Sequence, residues 1–163
     1  MARLPRISPA EAPDSAPRYE IRIAGRGPGN GEYEIWQLPA KATPRVAASA
    51  RIAGLRGRNL ELVEHRVLRR LAHAGVTPQS GNNGRTCGYA VTEDVALTLG
   101  LLFRTLAPMR SRDNMRAVAE GIENMGREEA AYWLGMAMHR RHPRRVLTAL
   151  RFLLTEPRRR SAG

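Results

Sequence analysis

Few side chains in this sequence are of types that do covalent or acid–base chemistry. There are four histidines, His65, His73, His139 and His142, and one cysteine, Cys87. His139 and His142 stand three residues apart, a spacing that could hold a metal on a helix. Pro143 interrupts the helix there, and Arg140, Arg141, Arg144 and Arg145 surround the pair with charge that repels a cation. No second cysteine or acidic cluster completes a zinc set. Arg85 stands near Cys87 and would favour its thiolate. A cysteine nucleophile also needs a histidine and a third group beside it in space, and spacing alone does not identify them.

Two glycine-rich stretches invite comparison with phosphate-binding loops. Gly25–Gly31 (GRGPGNG) lacks the Gly-Lys-Ser/Thr ending and opens no helix. Gly81–Gly88 (GNNGRTCG) lacks lysine, and the next helix starts too late. Both read as turns. Glu120 and Glu123 lie on the polar side of an amphipathic helix, and Glu128 and Glu129 sit at a helix start, where acids are stabilised by the dipole. No catalytic residue, metal or cofactor is therefore assigned, and the chain is expected not to be an enzyme. The weakest of the readings kept open is an enzyme that draws Cys87, Glu128 and His139 into one pocket.

The guanidinium groups are the stronger chemical signal. The chain has 163 residues and a net charge of +12, and Lys41 is the single lysine among 27 basic residues. Arginine offers a planar donor fork that matches phosphate or carboxylate. The charge is segregated: residues 1–38 are neutral, 39–91 carry +7, 92–138 carry −2, and 139–163 carry +7. Segregation says more than the total, because two basic segments that meet in space make one basic surface. On the last helix Arg144, Thr148, Arg151 and Thr155 share one side, and Arg140, Arg141 and Arg145 widen it into a track suited to phosphate contact. Arg66, Arg69 and Arg70 lie off the apolar stripe of an earlier helix and are expected to join it. The candidate nucleic-acid-binding residues are thus Arg66, Arg69, Arg70, Arg140, Arg141, Arg144, Arg145 and Arg151. The aromatics that could stack bases, Tyr19, Tyr33, Trp36 and Tyr89, do not interleave with the arginines, which favours contact with the DNA or RNA backbone over sequence readout. The same surface would also suit an acidic protein partner.

These groups need elements to position them. The pattern predicts α+β architecture: an N-terminal β-hairpin or meander followed by a helical bundle of about five helices. Residues 1–17, rich in Pro, Ala and Ser, are expected to be a disordered tail. Residues 18–156 form a single α+β domain, with strands within 19–56 and helices within 59–156, and 157–163 are a basic flexible tail. Tyr19, Ile21 and Ile23 alternate with Glu20 and Arg22, and Tyr33 and Ile35 alternate with Glu34 and Trp36. Arg26–Gly31 between them is a turn. A third strand is expected within Val46–Leu55.

Asn59 is placed to cap a helix to about Ala74, with Leu60, Val63, Val67 and Leu71 as its buried stripe and Gly75 as its stop. Residues 76–88 read as a long loop. Thr92 opens a helix, apolar nearly all round, expected at the centre of the core. Asp113 or Ser111 caps the next, with Met115, Val118, Ile122 and Met125 buried. A fourth runs from Arg127 to about Arg140, with Ala130, Leu134, Ala137 and Met138 on one face and Trp133 at its edge. Pro143 begins a fifth, to about Thr155, with Val146, Leu147, Leu150, Leu153 and Leu154 inward. No run of 18 apolar residues would span a membrane, and a single cysteine suits a reducing cytoplasm.

The stretch Glu120–Pro157 (EGIENMGREEAAYWLGMAMHRRHPRRVLTALRFLLTEP) resembles small uncharacterised prokaryotic proteins grouped as a domain of unknown function. The resemblance implies a bacterial or archaeal cytosol and a neighbourhood of mobile or anti-phage defence genes. It carries no catalytic residue to transfer. The leading expectation is a non-catalytic accessory subunit of a prokaryotic multi-protein system, its arginine surface on nucleic-acid backbone. The alternative is a protein–protein module, or a homodimer through the helix around Trp133, with no nucleic-acid role.

Overall fold

A computed structural model describes residues 16–25, 31–41, 48–78, 85–139 and 142–161, with 157–161 described by backbone alone. Most of the expected N-terminal tail, the 26–30 turn, part of the 76–88 loop, and Arg140 and Arg141 lie outside the described residues. Strands β1 (Arg18–Ala24), β2 (Glu32–Leu38) and β3 (Ala50–Arg56) lead into helix α1 (Gly57–His73). Strand β4 (Cys87–Val91) follows, then α2 (Glu93–Leu106), α3 (Arg112–Glu123), α4 (Arg127–His139) and α5 (Pro143–Ser161). The class is α+β, as the pattern predicts.

The four strands form one antiparallel sheet in the order β3-β2-β1-β4. Alternation sets its two faces. Ile21 lies opposite Ile35, and both are fully buried with Ile23, Tyr33, Ile52 and Leu55 against the helices. The other face carries Glu20, Arg22, Glu34, Trp36 and Arg51, tied by Arg22–Glu20 (3.6 Å) and Arg51–Glu34 (2.6 Å) ion pairs, with the Arg22 guanidinium 4.0 Å above the Trp36 ring. Strand β4 departs from the sequence expectation, which places all strands ahead of the helices. A three-strand meander leaves β1 with an unpaired edge, and Cys87–Val91 covers it, Tyr19 opposite Val91 and Ile23 opposite Cys87.

Gly57 turns β3 directly into α1 with φ +65°, a left-handed conformation that costs glycine little. Four leucines and valines at helical spacing, Leu60, Val63, Val67 and Leu71, are all buried. The helix ends in a Schellman motif: Gly75 at φ +81° donates to the Ala72 carbonyl (3.0 Å), and Val76 donates to Leu71 (2.8 Å). Asn59 does not cap α1, whose N-cap is Arg56. Its amide instead donates to the Leu106 (2.8 Å), Met109 (3.1 Å) and Ala107 (3.3 Å) carbonyls, closing the end of α2.

Helix α2 occupies the centre, touching the sheet on one side and α3, α4 and α5 on the other. That position explains its apolar circumference: Leu99, Leu101, Leu102, Phe103 and Leu106 are all buried. Ser111 caps α3 by accepting from the Asn114 amide (3.4 Å). Helix α5 packs on α3 and α4 through Leu147 and Leu150. It comes so near α3 that a Cβ on Gly121 would sit 2.6 Å from Leu154 Cδ2. The helix continues to Ser161, past the expected stop at Thr155, through arginines that are good helix formers.

Candidate nucleic-acid interface

The predicted arginines fall in separate places. Arg66 pairs with Glu123 (2.8 Å), Arg69 donates to His65 Nδ1 (3.2 Å), and Arg70 donates to the Thr98 hydroxyl (3.4 Å). The three line a cavity of about 420 Å³ with His73 and Glu123. Arg144 lines a different groove of about 850 Å³, and Arg151 a third of about 350 Å³. Arg145 is exposed on α5 and lines none of these. The structure therefore does not bring Arg66, Arg69 and Arg70 into a cavity with the α5 arginines.

It does join the two basic segments through residues that charge counting passes over. The larger groove lies along the free edge of β3, beside the end of α2 and the start of α5. Arg51 and Arg56 from the first basic segment, Arg144 from the last, and Arg104 from α2 all line it. The smaller groove draws on adjoining stretches of chain: Ala107 borders the larger and Met109–Ser111 the smaller, while Leu147 and Thr148 are neighbours on α5. Arg110 and Arg151 line this second part with Asn114 and Thr148. Six guanidinium groups thus line the two grooves, and Glu32 is the only carboxylate lining either among the described residues.

The local chemistry leaves some of these charges available and not others. Arg51 is neutralised by Glu34 and, at 4.0 Å, by Glu32. Arg56, Arg110 and Arg144 make no ion pair among the described residues. Arg104 Nε donates to the Ile52 carbonyl at 2.6 Å, which caps an edge acceptor of β3 and fixes the side chain across the groove. Burial, and then the nearby Arg51 charge, pull the Arg104 guanidinium below its usual pKa. An anion in the groove would relieve that repulsion. The first turn of α5 adds the positive end of its dipole beside Pro143.

On α5 the track is partly as expected. The Thr148 hydroxyl donates to the Arg144 carbonyl (2.7 Å) and accepts from Arg151 Nη2 (2.9 Å), so it orients Arg151. Helical spacing puts Thr155 on the exposed side, yet it is 6% exposed and its hydroxyl turns back to the Arg151 carbonyl (2.9 Å). Leu153, expected inward, is 51% exposed, because the helix buries its Leu147–Leu150–Leu154 side against α3 and α4.

The remaining candidates lie elsewhere. Cys87 sits on β4, and Glu128 and His139 are exposed on α4; none of them lines the three cavities above. Among the described residues no three His, Cys, Asp or Glu side chains gather as metal ligands would, and no helix is long and apolar enough to cross a membrane. Tyr19, Tyr33 and Tyr89 pack against the core, and Trp36 lies beneath Arg22. The sequence does hold a signal for an aromatic at the track: Phe152 follows Arg151 directly, is 53% exposed, and lines the smaller groove.

Residues 19–156 match a family described as Domain of unknown function (DUF7680), far more of the chain than the 120–157 stretch that carries the sequence resemblance. No curated protein and no solved structure matches the chain.

Proposed function

We propose that this chain, which belongs to the DUF7680 family of unknown function, is a non-catalytic accessory subunit whose arginine track holds nucleic-acid backbone. The observation that carries the reading is the joining of Arg51, Arg56, Arg104 and Arg144, from both basic segments and α2, in one groove with a single lining carboxylate among the described residues. Phosphates neutralised by such a track release condensed counterions, which supplies affinity without base contacts. Guanidinium groups from a strand, two helices and a linker, placed along a groove, suit a chain of phosphates better than one small anion. The resemblance of residues 120–157 to prokaryotic proteins favours a bacterial or archaeal assembly, and the lone cysteine favours the cytoplasm.

The test is binding of the purified chain to labelled DNA and RNA across a salt series. Log affinity should fall steeply with log salt. Replacing Arg56, Arg144 and Arg151 together by Ala should flatten the slope by about one unit for each phosphate no longer held. Absence of binding even near about 50 mM salt overturns the reading. A second reading has its own observation: Tyr132, 60% exposed and stacked edge-on against Trp133 at 5.8 Å, offers an apolar anchor for a protein partner or a second copy. A monomer in sedimentation at high concentration removes the homodimer version.

A further inference from the structure

Apart from the track, we propose that the cavity beside α1 binds a small organic phosphate monoester. Arg66, Arg69, Arg70 and His73 line it at i, i+3, i+4 and i+7, so all four stand on one face of α1. The remaining lining residues are Ala74, Val95 and Glu123, from the end of α1, from α2 and from the end of α3. Arg69, His73 and Ala74 are exposed, and Val95 is buried. The helix dipole favours cations in the last turn, which accounts for Arg70 and His73 but for neither Arg66 nor Arg69. Carbonyls that would repel an anion at that end are already taken: Ala74, Gly75 and Val76 donate to Arg70, Ala72 and Leu71.

A guanidinium carries five N–H donors, and each of the three is fixed through one nitrogen: Nη1 of Arg66 by Glu123, Nη2 of Arg69 by His65, and Nη2 of Arg70 by Thr98. These bonds orient the forks and leave their other nitrogens for a ligand. Three guanidinium charges against the single Glu123 carboxylate leave a surplus of two. That surplus matches the charge of a phosphate monoester above its second pKa of about 6. Three forks also suit three terminal phosphate oxygens, where a carboxylate offers two. The cavity, about 420 Å³, is larger than a phosphate group fills and falls within the roughly 300–1,000 Å³ of small-molecule sites. Val95 and Ala74 supply an apolar wall for the organic part of the ligand.

The experiment is calorimetric titration of the whole chain, at about pH 8 where the monoester is a dianion, with phenyl phosphate, inorganic phosphate and succinate. Phenyl phosphate should bind one per chain, about tenfold tighter or better than either of the others. Arg69→Gln and Arg70→Gln should each weaken it about 10- to 100-fold. Glu123→Gln keeps an acceptor for Arg66 but removes the competing charge, and should tighten binding about threefold or more, a gain that a misfolded chain cannot give. Absence of saturable phenyl phosphate binding at about 10 mM overturns the inference, as does equal affinity for succinate or for inorganic phosphate. Replacing Arg56, Arg144 and Arg151 together should leave phenyl phosphate affinity unchanged. Loss of binding in that variant places the ligand in the track grooves and overturns this inference while leaving the nucleic-acid reading in place. Retention of phenyl phosphate by a chain that binds no nucleic acid overturns the nucleic-acid reading alone.

Discussion

Two residues outside the track show how much a single polar group decides. The Tyr33 hydroxyl donates to Glu64 Oε1 at 3.2 Å, and burial, then the Glu64 carboxylate, raise its pKa. The folded chain thus favours the neutral phenol. Its contribution is whole below about pH 10, where an unfolded tyrosine titrates, and is lost as pH rises toward the higher folded value. Tyr33→Phe should cost about 1 kcal/mol at neutral pH and flatten the alkaline limb of stability, both read by urea denaturation at stepped pH. Asn59 is the second. Its one amide serves three carbonyls at the end of α2, and Asn59→Ala leaves them without it, at a cost of about 1–3 kcal/mol. The sequence suggests a helix cap at Asn59, and a cap it is, but of a helix that ends 47 residues later. Spacing along the chain identifies a residue suited to capping and cannot tell which end it reaches.

At the scale of elements, what is legible in the sequence is what is local. Leu60, Val63, Val67 and Leu71, or Met115, Val118 and Ile122, announce a buried helix face because the period of the backbone is written into a dozen neighbouring residues, while Met125, expected on the same stripe, is buried just beyond the end of α3. Strand β4 is not legible: five residues long and preceded by polar loop, it is a strand because β1 offers it an edge. The arginine track is half legible. Charge runs mark Arg144 and Arg151, but Arg51, Arg56, Arg104 and Arg110 join them only once β3, α2 and α5 come together. That meeting depends on the close approach of α3 and α5 at Gly121. Gly121→Ala should force Leu154 aside and destabilise the chain by about 1–3 kcal/mol, and Gly121→Val by more, measured as lowered denaturation midpoints. If α5 shifts, nucleic-acid affinity should fall in the same variants although no track residue has changed.

For the whole molecule, the position of the charge predicts an asymmetry. Arg66, Arg69 and Arg70 occupy their own cavity, Arg66 already neutralised by Glu123. Replacing all three by Ala should change nucleic-acid affinity less than about threefold, just under half of the 1.4 kcal/mol that a tenfold change represents. The Arg56, Arg144 and Arg151 replacement should remove most of it. A fluorescence titration of the two triple variants side by side decides which surface is used. The order of the sheet carries a different consequence, for biosynthesis. Strand β1 lies between β2 and β4 and bears the fully buried Ile21, yet its second neighbour is made only after α1. At about 5–20 residues per second, a ribosome needs roughly 3 to 13 seconds to pass from Ala24 to Val91. Throughout that interval the nascent chain presents an open strand edge bearing two isoleucines. A transcript broken before Cys87 would leave it open for good, a template on which neighbouring nascent chains can pair with one another.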